Sequence, residues 1–173
     1  ELEIPSGKWV DYNLSELDDE GMKRIWQMYL ATYLNAGMDL SAGSWSELKS
    51  KYSATALIDV DKDHLPDAFI IYKKTGFGKK IALLGTNNKK SAKSDVVKKV
   101  IQLCKTSGWF LEASLKMEDI MKSSGAPVVT DEEKIQAIVG PDKKVQFVGD
   151  GYYTRSLSKV NKRITKRLYG RPK

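Results

Sequence analysis

Cysteine and histidine, the side chains that most often carry nucleophilic or metal chemistry, occur once each in this chain, as Cys104 and His64. A lone cysteine cannot close an internal disulfide, which suits a reducing compartment or a particle assembled in one. Cys104 follows Val96, Val97, Val100 and Ile101 at helical spacing and reads as a small buried hydrophobe rather than a reactive thiol. Any Ser-His-Asp or Cys-His constellation would have to be built around His64, in a polar hairpin, and there is no Gly-x-Ser-x-Gly elbow. No Cys and His cluster offers zinc spacing. Long apolar runs are also missing: none approaches the roughly 18 to 20 residues that cross a bilayer, and no charged-then-apolar start marks a signal peptide. The chain opens on Glu1 and not Met, as a processed product or an excised part of a longer chain does. Acidic residues are absent from 158–173, which carries seven of the 29 basic residues, so residues 1–157 balance at 22 basic and 22 acidic.

With 173 residues, 41% of them hydrophobic, the chain can bury one good core. The expected organisation is one domain over 1–157 and a basic tail over 158–173. A strand at Lys8–Leu14 precedes a helix capped by Asp18, whose face is Met22, Ile25, Trp26, Tyr29, Leu30, Tyr33 and Leu34, ending at Gly37. Ser44-x-x-Glu47 predicts a capping box for a short helix to Tyr52. Thr55–Asp59, Ala68–Lys73 and Lys79–Leu84 read as strands.

Next comes a helix over the Val96-to-Cys104 stripe, with Lys93, Lys98, Lys99 and Lys105 on its wet side, and then a strand at Trp109–Ser114. Two more helices follow. Ser114 caps one carrying Leu115, Ile120 and Met121, and Thr130-x-x-Glu133 boxes the other, lined by Ile135, Ile138 and Val139. A hairpin of Lys144–Val148 and Tyr152–Leu157 turns at Gly149-Asp-Gly151. The order β-α-α-β-β-β-α-β-α-α-β-β describes an α/β (α+β) protein with a mixed, mostly antiparallel central sheet flanked by helices.

Three phrases carry a resemblance. They are Ile58-Asp-Val-Asp-Lys-Asp63 with Pro66-Asp-Ala-Phe69; Gly85 through Ala92-Lys-Ser94 with Val96-Val97; and Pro127 to Glu133 with Tyr152-Tyr-Thr-Arg155 and Gly170-Arg-Pro172. Together with the element order, they make residues 8–172 similar to the Gcn5-related N-acetyltransferase fold, and most similar to acetyltransferase-like proteins of tailed bacteriophages. The resemblance implies an acetyl-coenzyme A site at the strand-helix turn. Leu84, Gly85, Thr86 and Asn87 would meet the pantetheine, and Asn88, Lys89, Lys90 and Ser91 would face the pyrophosphate at a helix N-terminus. The turn departs from the family's usual Gln/Arg-x-x-Gly-x-Gly/Ala loop, having no glycine after Gly85, while Lys89, Lys90 and Lys93 supply positive charge.

Transfer to an amine needs a base and an acid within reach. Glu112 is the candidate base and Tyr152 or Tyr153 the candidate acid; each also has a plainer reading, Glu112 as a solvated strand residue and the tyrosines as core or edge packing. The resemblance places the chain in a host-cell cytoplasm or a phage virion, acting on an unknown amine or serving as a non-catalytic scaffold.

Two features stand apart from the resemblance. Asp59, Asp61, Asp63 and Asp67 fall at positions 1, 3, 5 and 9 of a calcium-loop-like frame, but His64 holds position 6 and Ile70 position 12. The same acids suit a hairpin tip. In the tail, Val160, Ile164 and Leu168 recur every fourth residue and predict a short basic helix. Its Lys159, Lys162, Arg163, Lys166, Arg167 and Arg171 are the candidate contacts to DNA or to other virion proteins. Membrane attachment is not expected, since only three apolar residues would insert.

Overall fold

In a computed structural model, the described residues are 9–14, 17–35, 43–51, 55–60, 66–86, 90–139, 143–149, 151–156 and 164–173. The protein is an α+β fold whose strands pair mostly antiparallel and are flanked by helices, as expected from the sequence. It divides into two compact units, one formed by residues 3–73 and 81–100, the other by 1–2, 74–80 and 101–173.

The first unit holds β1 (Trp9–Asn13), α1 (Asp19–Asn35), α2 (Trp45–Lys51), β2 (Thr55–Val60) and most of β3 (Pro66–Thr75). It also takes β4 (Gly78–Thr86) from Ile81 onward and α3 (Lys90–Cys104) as far as Val100. Its strands are ordered β1-β2-β3-β4. Asp18 caps α1 by accepting the Gly21 N–H at 2.8 Å. Ile25, Met28 and Tyr29 of α1 then pack on Leu14, Leu48, Phe69, Ile71 and Leu83. Trp26 and Leu30 flank this core, whereas Tyr33 and Leu34 lie beyond the described side chains. α2 starts at the expected cap: Ser44 Oγ accepts the Glu47 N–H at 3.2 Å, while Glu47 reaches one residue past the box, to the Gly43 N–H at 3.0 Å.

The second unit contains β5 (Trp109–Ser114), α4 (Leu115–Ser123), α5 (Glu132–Val139), β6 (Lys143–Val148), β7 (Gly151–Ser156) and β8 (Ile164–Gly170). Its strands are ordered β5-β8-β7-β6, all antiparallel. The β6-β7 turn falls at Gly149, where φ is +62°. The α5 cap is Asp131 and not Thr130: Asp131 Oδ1 accepts the N–H groups of Glu133 and Lys134 at 3.1 and 3.2 Å. Ile135, Ile138 and Val139 of α5 cover Phe110, Leu168 and Tyr152, with Val145 and Phe147 alongside.

β8 corrects the expected tail. Residues 164–170 are not a basic helix outside the domain; they form a strand between β5 and β7, with Leu168 and Tyr169 fully buried. A repeat of four keeps residues on one side of a strand as well as of a helix, so Ile164 and Leu168 satisfy both periods. Open edges on β5 and β7, which only a strand can fill, decide the outcome. Gly170 ends β8 at φ +134°, where a Cβ would run into the Trp109 carbonyl.

Candidate functional site

The turn that the resemblance singles out follows β4. Along this strand Ile81, Leu83 and Gly85 are buried, and Ala82, Leu84 and Thr86 are half-buried. Gly85 is glycine for a packing reason: a Cβ there would enter the Phe69 ring and crowd Thr32 Oγ1 at 3.3 Å. Asn87, Asn88 and Lys89 lie outside the described residues, and Lys90 and Ser91 begin α3 with side chains that are not described.

Below its first turns, α3 turns Val96, Val100, Ile101 and Cys104 inward as expected. Val97 is only half-buried, and so are Lys98 and Lys99, which the periodicity had placed on the wet face. Burial lowers the Lys99 pKa and raises that of Cys104 to about 12, so the thiol is a packed, inert group. The first turn of α3 contains no acid, whereas those of α1, α2, α4 and α5 contain Asp19 and Glu20, Glu47, Glu118, and Glu132 and Glu133.

Glu112 sits in the second unit on the face of β5 that α5 covers. Strand alternation puts Phe110 and Glu112 on one side, opposite Gly170 and Leu168 of β8. Lys166 shares that side and is in register with Tyr152 of β7. Lys166 Nζ donates to Glu112 Oε2 at 3.1 Å, and Lys80 Nζ, from the start of β4, pairs with Oε1. The Glu112 side chain is 6% exposed. Burial pushes its carboxyl pKa up, but the charges and hydrogen bonds of Lys80 and Lys166 outweigh that and hold it at about 2. Burial, then the negative charge of Glu112, pushes the Tyr152 phenol above the usual tyrosine range.

The fold therefore brings Glu112 and Tyr152 together. Tyr153, next along β7, points to the opposite face. That face carries Tyr169 and Arg167 of β8, and Arg167 pairs with Glu118 of α4. A base should titrate near the working pH, and a carboxylate held at about 2 is a weak one; a phenol with a raised pKa is a weak acid. Glu112 is here a buried counter-ion to two lysines. The sequence reading missed those partners, because Lys80 stood only as a strand residue and Lys166 as a tail cation.

Of the tail candidates, Lys166 and Arg167 are engaged by acids of the fold, and Arg171 is exposed while its backbone bonds Gly108 and Trp109. Lys159, Lys162 and Arg163 lie outside the described residues, as do Asp61 and Asp63 of the calcium-like frame. Asp59 and Asp67 fall in β2 and β3 with side chains that are not described. Among the described residues there is no cluster of His, Cys, Asp and Glu that could hold a metal, and no helix long and apolar enough to cross a membrane. Comparison with protein-family models, with curated proteins and with solved structures gave no match.

Proposed function

We propose that this chain is an N-acetyltransferase-like protein of phage lineage that binds an acyl-coenzyme A at the turn from β4 into α3 and presents its thioester to an amine. The observation that carries the reading is the first turn of α3. Every other helix described places an acid of its own at its positive end, while α3 starts with Lys90 and Lys93 and no acid. A diphosphate supplies what that turn lacks: negative charge for the helix dipole and for the lysines. The succession β4, α3, β5 agrees with the strand-helix-strand unit that the resemblance leads one to expect.

Calorimetric titration with acetyl-coenzyme A tests the proposal. A Kd below about 1 mM, equivalent to about −4 kcal/mol, is expected. Replacing Lys89, Lys90 and Lys93 together by Glu should abolish the heat. No heat from the native chain at that ligand concentration sinks the proposal.

A second reading keeps the fold and drops the chemistry: a scaffold in a virion, or a protein held on DNA through basic residues of 158–173. The state of Glu112 favours it, since a carboxylate titrating at about 2 removes an amine proton poorly at neutral pH. Release of coenzyme A thiol in the presence of a panel of amines separates the two readings. Binding without release favours the scaffold.

A further inference from the structure

The cluster around Glu112 holds more positive charge than negative. One carboxylate, its side chain 6% exposed, serves two ammonium groups: Lys80 on Oε1 and Lys166 on Oε2. The lysine side chains are themselves only 21% and 19% exposed. Among the described residues neither lysine pairs with another acid, and the nearest in sequence, Glu118, is engaged by Arg167 and Lys122. Tyr152, beside Lys166 in the ladder, is fully buried and adds no charge.

An ammonium has three donors, and a charge withdrawn from water is costly unless an opposite charge meets it. Among the described residues one counter-charge serves the two, and the remaining exposure of the lysine side chains leaves a way in from solvent. We propose that Lys80 and Lys166 bind a small oxyanion, a carboxylate or phosphate monoanion, beside Glu112. Lysines are point charges with rotatable donors, so selection is by charge and size rather than by a planar fork. A surplus of one favours a singly charged group. The site is independent of the acyl-coenzyme A reading and stands if that reading falls.

The test is calorimetry of the full chain at pH 6 with sodium acetate and, separately, inorganic phosphate, with ionic strength held constant by sodium chloride. Lys80→Met and Lys166→Met each leave a balanced one-to-one pair and should weaken acetate binding about tenfold or more. Glu112→Gln doubles the surplus and should tighten it by a similar factor, a direction that a purely structural role for Glu112 does not give. Melting temperatures report whether each variant folds; if Glu112→Gln does not, the two methionine variants still decide. Preference for acetate identifies a carboxylate ligand, and preference for phosphate a phosphate monoester. Acetate binding that matches chloride, or that is unchanged in both methionine variants, overturns the proposal.

Discussion

Glu112 ties pH to stability. Its carboxyl titrates near 4.5 when free of the fold and at about 2 within it. Because the folded value is the lower, its stabilisation is fully present above pH 4.5 and is lost as pH falls through about 2. The difference corresponds to about 3 kcal/mol. Urea unfolding of the native chain should lose stability across this window, and Glu112→Gln should flatten that loss while being less stable at pH 7 by about 3 kcal/mol. Cys104 makes a second prediction at this scale. Being fully buried, with its pKa raised to about 12, it should resist a thiol reagent at pH 8 in the native state and react completely in urea.

Elements differ in how openly the sequence announces them. α2 was legible as far as its cap, because Ser44 and Glu47 are neighbours whose chemistry requires nothing distant, although Glu47 accepts from the Gly43 N–H and not from that of Ser44. α5 was legible as a helix but its cap was one residue off, since Thr130 and Asp131 are both competent and the backbone chooses. β8 was misread because its spacing fits two periods, and its partners, β5 and β7, are remote from it in pattern if not in number. Leu168→Ala should cost about 2–5 kcal/mol, since it empties a fully buried position between two strands; denaturant melts measure it. Removal of 164–173, harmless for a free tail, should abolish cooperative unfolding of the second unit, read by hydrogen exchange at β5 and β7. In the first unit Gly85→Ala forces a methyl into the Phe69 ring and should cost about 1–3 kcal/mol.

For the molecule as a whole, net charge is a poorer guide to partners than its location. The sequence carries +7, all attributable to 158–173, yet Lys166 and Arg167 are spent on Glu112 and Glu118. DNA retention through this region would rest on Lys159, Lys162, Arg163, Arg171 and Lys173. Replacing Lys159, Lys162 and Arg163 with Glu should remove retention on a DNA column at low salt without changing the far-ultraviolet circular dichroism. Unchanged retention would dismiss the scaffold's DNA version. The site was half legible for the same reason that charge misled: Glu112 could be picked out on its strand, but Lys166 lies 54 positions away, and only the ladder brings them together.

β8, which lies between β5 and β7, leaves the ribosome after every other element described. Until Gly170 has emerged, β5 and β7 each keep a row of backbone groups without a neighbour, Glu112 has no Lys166, and Phe110 and Tyr152 lack Leu168 between them. Until residues 164–170 have emerged, a nascent chain is therefore open to strand exchange with a second copy, and slow translation over that stretch would lengthen the interval.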